Sequence, residues 1–232
     1  MVNHAFILAA GMGKRLRPYT DTMPKPMVNV HGKPIIDHTI DKLVASGITN
    51  ITVNLHYMGN ILKDHLSQRA DVNITFSEET ELLETGGGLK KALHTMPAND
   101  PFFIINGDAF WTENGSNIFQ DLSDNWNDSD MDILLALQPV EKMILTNGVG
   151  DYTLESGKAT RSHTQDGDLM FAGIRLCHPR VFEGSPGGAF SFLQLMDKAE
   201  QNNRLGGIRF EGEWHHISTP KELNRVNEAV NE

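Results

Sequence analysis

Short apolar runs alternate with longer stretches of helical periodicity along most of this chain. Residues 5–8, 50–54, 73–77, 102–106, 133–139 and 172–177 are short and largely apolar, the pattern of buried strands. Between the first two, residues 36–46 set Ile36, Ile40, Leu43 and Val44 on one helical face, and Gly47 supplies a stop. Residues 59–68 repeat that spacing with Ile61, Leu62 and Leu66, and a shorter helix is expected over 87–94. Strand–helix–strand repetition joins parallel strands through right-handed crossovers. The expected fold is therefore α/β, with a doubly wound, mostly parallel sheet. Ligands bind such sheets outside the carboxyl ends of the strands, which is where the residues after Leu8 and after Asn106 fall.

The pattern shifts near Asp151. Residues 150–155 and 158–161 read as a hairpin around Ser156-Gly157, and 190–201 as a helix. A closing helix is expected over 220–230, with Thr219 as N-cap, Pro220 in the first turn and Glu222 three residues after the cap. The glycine-rich stretches 184–188 and 206–207 read as loops. No repeat and no long linker interrupts the chain, so residues 1–232 are read as one domain. Its first part runs to about 150 and its second over about 151–232.

The chain's 232 residues suffice for one α/β domain with a large core and are few for two. A net charge of -10 argues against a nucleic-acid partner, which requires a basic face. The cations near the start, Lys14, Arg15, Arg17, Lys25 and Lys33, form a local cluster in an acidic protein, which suits a small anionic ligand. Cys177 is the one cysteine, so no internal disulfide forms. It reads as a small buried residue in a reducing compartment. No apolar run approaches the roughly 20 residues of a membrane helix, and no leader pattern precedes the first strand. The expectation is a cytoplasmic monomer or small homo-oligomer with no membrane partner.

Candidate chemistry begins where the first strand ends. Leu8-Ala9-Ala10-Gly11-Met12-Gly13-Lys14-Arg15 combines small residues, which let a ligand approach the backbone, with cations directly after a strand. Lys25 follows between two prolines that stiffen its backbone. Such a loop binds a polyphosphate. The dinucleotide-binding fingerprint does not fit, because its third small residue is Leu16 here. The P-loop does not fit either, because Gly13-Lys14 is followed by Arg15. Asn106-Gly107-Asp108 ends a buried strand, and a carboxylate there either binds a cation or caps the next helix.

Residues 8–26 resemble the signature of the sugar-1-phosphate nucleotidyltransferases. The likeness continues through residues 30–36, Glu84-Thr85-Gly86-Gly87-Gly88, Asn106-Gly107-Asp108 and residues 214–220, in the family's order along essentially the whole chain. The resemblance implies a single Rossmann-like, GT-A-like domain without the C-terminal β-helix that many relatives carry. It also implies two small-molecule substrates, a nucleoside triphosphate and a sugar 1-phosphate. Gly150-Asp151-Tyr152, Phe171-Ala172-Gly173-Ile174 with His178-Pro179, and Gly188-Ala189-Phe190 resemble the branch that uridylylates N-acetylmuramate 1-phosphate in cell-wall recycling. Mannose-1-phosphate guanylyltransferases share much of them. A relative that binds nucleotide sugars without turnover is the alternative from another class.

The resemblance also implies roles. Nucleotide and phosphates fall to Leu8, Ala9, Ala10, Gly11, Met12, Gly13, Lys14, Arg15, Lys25, Gly86, Gly87 and Asn106. The sugar falls to Glu84, Thr85, Gly150, Asp151 and Gly173. Arg15, Lys25 and Asp108 are the catalytic set, with Arg15 on the pyrophosphate and Lys25 on the attacked or sugar phosphate. Arg17 is left between a phosphate and a surface carboxylate. Read from the residues, the glycines of 86–88 give space for a base or sugar or merely start a helix, and Thr85 reads as a helix cap. Asp108 would bind Mg²⁺. One departure stands out: relatives commonly carry an aspartate, a second metal ligand, where this chain has His216. Imidazole is a softer donor than magnesium prefers. Three readings follow: Asp108 holds the ion with phosphates and water alone, His216 binds it weakly, or Mn²⁺ is used. His215 points away from the site if this stretch is extended.

Overall fold

The computed structural model of the chain describes residues 2–115 and 117–229. In chain order the strands are β1 (His4–Leu8), β2 (Asn29–Val30), β3 (Lys33–Pro34), β4 (Asn50–Leu55), β5 (Asn73–Glu78), β6 (Phe102–Asn106) and β7 (Ala109–Thr112). They continue with β8 (Ile133–Pro139), β9 (Tyr152–Glu155), β10 (Lys158–Arg161), β11 (Leu169–Cys177), β12 (Leu205–Arg209) and β13 (Glu213–His216). The helices are α1 (Ile35–Ala45), α2 (Gly59–Leu66), α3 (Glu84–Ala92), α4 (Ile118–Asp124), α5 (Leu193–Gln201) and α6 (Pro220–Glu228).

Nine strands form the main sheet in the order β5-β4-β1-β6-β11-β8-β12-β10-β9. β5, β4, β1 and β6 are all parallel, as the alternating pattern requires. β11 then enters between β6 and β8, antiparallel to both. It is reached from the β9–β10 hairpin without a crossover helix, and a parallel return would need one. β8 and β12 restore a parallel pair.

Both faces are covered, which is the doubly wound arrangement. On one face α1, α2 and α4 bury Ile36, Ile40, Leu43, Leu62, Leu66, Ile118, Phe119 and Leu122 against Ile7, Val53, Phe103 and Ile105. On the other, α3 and α5 bury Leu89, Ala92, Leu195, Met196 and Ala199 against Phe6, Phe102, Ile104 and Leu135. Residues 5 to 7 and 102 to 105 are inaccessible on both faces because the sheet is sandwiched there, so those strands read as continuous apolar runs. A third cluster, Leu16, Val28, Val30, Ile35, Phe110, Ile217, Leu223 and Val226, fastens α6 to the segment after β1.

Several expectations are adjusted. Gly206 and Gly207 lie inside β12 rather than in a loop, because Leu134 and Leu137 of β8 and Leu154 of β9 occupy the space their side chains would need. The helix expected over 190–201 starts at Leu193, and that expected over 87–94 starts at Glu84. β7, β12 and β13 are additional strands; β7 and β13 pair only with each other, as a small separate sheet. The Thr219 cap forms with its reciprocal Glu222 contact, and Val230, the expected end of that helix, lies outside the described residues. Cys177 is fully buried in β11, and burial pushes its thiol up, which agrees with a packing role.

Candidate active site

β1 and β6 are parallel neighbours, so the segments leaving their carboxyl ends emerge side by side. The Gly107 N–H donates to the Leu8 carbonyl at 2.8 Å, and a Cβ on Gly107 would stand 2.6 Å from that oxygen. Only glycine lets the two segments meet so closely. On the far side, the Ala9 N–H donates to Asn54 Oδ1 at 2.7 Å, and Asn54 Nδ2 donates to buried Glu79 at 2.7 Å. Asn54 therefore pins the start of the loop from β4. A polar residue near the end of the apolar run of β4 was the available signal for it.

The loop closes over the Lys25 segment. Gly13 has φ 60, and a Cβ there would meet Thr20 at 2.9 Å and the Lys25 stem at 3.0 Å. The Thr20 hydroxyl donates to the Gly13 carbonyl at 2.9 Å. Gly11, by contrast, has open space beside it. Together these segments bound a cavity of about 540 Å³. Leu8, Ala9, Ala10, Gly11, Gly13, Lys14, Arg15, Lys25, Asn106 and Asp108 line it, as do Glu84 and Thr85 from the start of α3. Asn54, Leu82, Ser191 and Ser218 join them without having been anticipated from sequence.

At its centre Lys25 Nζ donates to Asp108 Oδ2 at 2.6 Å, a pair separated by 83 positions in sequence. Burial by itself would raise the Asp108 carboxyl. The Lys25 charge and hydrogen bond, with a smaller contribution from His216, outweigh that and hold it below its ordinary value. Asp108 is thus ionised at neutral pH, its side chain still 40% exposed to the cavity. His216 lies on β13 with its ring stacked on Trp214, and its backbone N–H donates to Thr146 Oγ1 at 3.1 Å. Burial lowers its pKa although Asp108 pulls the other way, so the ring is neutral at pH 7. His215, on the opposite face of the extended strand, stacks on Phe110.

Not every expected residue reaches this cavity. Met12 points out and is 37% exposed. Arg17 pairs with Asp21 at 3.0 Å and Lys33 pairs with Asp41, so neither joins the cluster. Gly86, Gly87 and Gly88 do not make room for a base or sugar. Cβ atoms there would collide with the Phe190 ring, the Gly188 carbonyl and Glu79, at 2.2–2.4 Å. The Gly86 and Gly87 N–H groups are already taken by the Phe190 carbonyl at 2.8 and 3.1 Å. These glycines belong to helix packing. Thr85 does not cap its own helix either; its hydroxyl accepts the Phe192 N–H, just before α5, at 2.8 Å.

Gly150 and Gly173 do not line this cavity either. Gly150 lets its backbone cross Gly167, whose N–H donates to it at 3.0 Å. Gly173, at φ 73, lies in a register shift of β11 against β8, and its missing side chain leaves space for the Asn106 amide. Asp151 lines a second cavity, of about 340 Å³, that shares Thr85, Asn106 and Ser191 with the first. Burial pushes its carboxyl up to about 6 despite the Phe171 N–H it accepts at 2.9 Å. A carboxyl raised on folding favours the fold at low pH, and that contribution disappears as pH climbs from about 4 through about 6. Asp151→Asn, which keeps the acceptor, should therefore melt roughly 2–6 °C above the parent at pH 8. At pH 4 the two should melt together. Equal melting temperatures at both pH values would show the carboxyl is not raised.

A family model described as nucleotidyl transferase matches residues 4–143. The N-acetylmuramate alpha-1-phosphate uridylyltransferase of Caulobacter vibrioides is 33% identical over 224 residues, covering 94% of this chain and 92% of that protein. The protein of the same description from Neisseria meningitidis serogroup B is 33% identical over 230 residues, covering 97% and 96%. Among solved structures, UDP-glucose pyrophosphorylase complexed with UDP-glucose superposes with a TM-score of 0.81. It covers 100% of this chain and 99% of that one at 16% identity, a likeness of fold.

Proposed function

The chain belongs to the nucleotidyl transferase family, and from that premise we propose that it transfers the uridylyl group of UTP to N-acetylmuramate 1-phosphate, releasing pyrophosphate. Two relatives at 33% identity along nearly their whole length support the choice of substrates, and the chain is read with them as a sugar-1-phosphate nucleotidyltransferase. The observation that carries the chemistry is the Lys25–Asp108 pair in a cavity bounded by a small-residue loop and two further cations.

In the reaction an oxygen of the sugar phosphate attacks the α-phosphorus, the bond from that phosphorus to the β-phosphate breaks, and pyrophosphate leaves in line. Little covalent work falls to the protein, so catalysis is positioning and neutralisation of charge. Lys14, Arg15 and the loop amides serve the β- and γ-phosphates. Lys25, set between Pro24 and Pro26 and paired with Asp108, serves the phosphate under attack. Asp108 is the carboxylate that would hold Mg²⁺. Among the described residues no cluster of three or more His, Cys, Asp or Glu side chains could hold a metal. An ion on Asp108 would keep phosphate oxygens and water as its other ligands. When bound, the ion neutralises charge that develops on the phosphates. His216 is read as a neighbour of this site or a weak ligand.

A panel of UTP, GTP, CTP and dTTP against N-acetylmuramate, mannose, glucose and N-acetylglucosamine 1-phosphates, read by pyrophosphate release, tests the substrates. The highest kcat/KM is expected for UTP with N-acetylmuramate 1-phosphate. GTP with mannose 1-phosphate as the best pair would overturn that reading and leave the reaction class standing.

His216 allows a separate test. Its depressed pKa keeps the ring neutral until the pH falls below about 6.5, so a ligand role predicts an acid limb of activity below that value. Excess metal should partly rescue that limb, and Mn²⁺ should outperform Mg²⁺. His216→Asp should tighten Mg²⁺ and flatten the limb. Unchanged metal affinity in His216→Ala would assign the ring to packing against Trp214.

A further inference from the structure

The second cavity holds a charge that nucleotidyl transfer does not use. β11 is apolar almost throughout, yet Arg175 sits in it at 3% exposure, on the face covered by α3 and α5. Its guanidinium carbon lies 4.2 Å from the Phe192 ring centre and 5.3 Å from that of Phe171. Two aromatic faces offset part of the cost of burying a cation, but they are no counter-ion. Nε and Nη2 are buried with no hydrogen-bond partner among the described residues. Burial lowers the guanidinium to about 10, which still leaves it charged at neutral pH. The neighbouring groups are engaged: Arg161 is held by Asp197 at 3.1 Å, and Asp151 accepts the Phe171 N–H.

Arg175 lines the second cavity, which meets the main one at Thr85, Asn106 and Ser191. A sugar whose 1-phosphate lies beside Lys25 and Asp108 would extend a ring substituent past those shared residues. We propose that Arg175 recognises a carboxylate carried on the sugar ring, so that the acceptor class is an acidic sugar 1-phosphate. A planar guanidinium with unused N–H groups matches a carboxylate's two oxygens, and a desolvated site makes that contact strong. A neutral sugar would leave the cation unpaired. The inference rests on the reading of the chain as a sugar-1-phosphate nucleotidyltransferase and names what selects the sugar.

The test compares acceptor pairs that differ in one acid group. These are N-acetylmuramate with N-acetylglucosamine 1-phosphate, and glucuronate with glucose 1-phosphate, each with UTP. The parent, Arg175→Met and Arg175→Lys are assayed. The parent should prefer the acid in at least one pair. Arg175→Met, an apolar replacement of similar length, should cut kcat/KM for that acid by about a hundredfold or more, chiefly through KM. The neutral partner's value should not change, and Arg175→Lys should recover part of the loss. If glucuronate is the preferred acid, the N-acetylmuramate assignment fails and the role of Arg175 stands. If Arg175→Met lowers both members of a pair alike, or leaves the acid untouched, the role of Arg175 is overturned whatever the substrate. A calorimetric comparison on the parent protein covers the case of a variant that does not fold. UDP-N-acetylmuramate and UDP-glucuronate should each be set against their neutral counterparts, and equal affinities within both pairs would also overturn the proposal.

Discussion

Lys25→Ala is expected to lower turnover by roughly two to three orders of magnitude, the usual loss when a preorganised charge facing the transition state is removed. The effect should appear in kcat more than in KM for the triphosphate, because Lys14 and Arg15 still line the cavity to bind it. Folding should change little. The Lys25 side chain is 11% exposed, but its ammonium meets a carboxylate that remains 40% exposed, and water can replace the lost partner. Arg15→Ala, at another residue lining the cavity, should cost a comparable factor, with still less effect on stability because Arg15 is exposed. The two together separate attacked phosphate from leaving group. If Arg15→Ala turned over normally, the loop would not be the phosphate site.

Asp108→Asn is the second large effect. It keeps the shape of the side chain and one oxygen, and it removes the charge that the Lys25 ammonium pairs with at 2.6 Å. Metal-dependent activity should fall by about a hundredfold or more. Thermal stability at pH 7 should change far less. The parent holds the Asp108 carboxyl below its ordinary value, so the stability tied to that charge is present above pH 4 and lost as pH falls through the depressed value. Parent and variant should accordingly converge in stability in strong acid, as measured by melts at stepped pH. In a double-mutant cycle, Lys25→Ala and Asp108→Asn should be non-additive in turnover, since each removal leaves the other charge without its neighbour. Full activity with Mg²⁺ in Asp108→Asn would reject the ligand assignment. Its alternative, a helix cap, already has little to stand on, because β7 follows Asp108 where a helix would be required.

Much of the frame was legible without coordinates, and for local reasons. β1, β6 and β8 announce themselves as short apolar runs because a strand buried on both faces has no polar positions to interrupt it. The β9–β10 hairpin and the Thr219–Glu222 cap are readable because a few adjacent residues decide each. The same holds for the cationic loop after β1, where small residues, cations and the end of a strand are contiguous. Those features raise the expectation of a phosphate site and say where on the sheet to look for it.

The structure alone settled what depends on partners far apart in sequence. A glycine signals close approach without naming what approaches: for Gly86 and Gly87 it was the segment 188–190, and for Gly150 it was Gly167. The antiparallel entry of β11 between β6 and β8 is a choice of neighbour, which periodicity inside one strand does not encode. The Lys25–Asp108 contact joins two segments that meet only once β1 and β6 are paired. Arg175 was not singled out from the sequence, because what marks it, the two covering rings of Phe171 and Phe192 and its place beside the second cavity, comes from long-range packing. Local chemistry travels with the chain. The geometry that turns it into a site is made of long-range pairings, and those exist only after the sheet has closed.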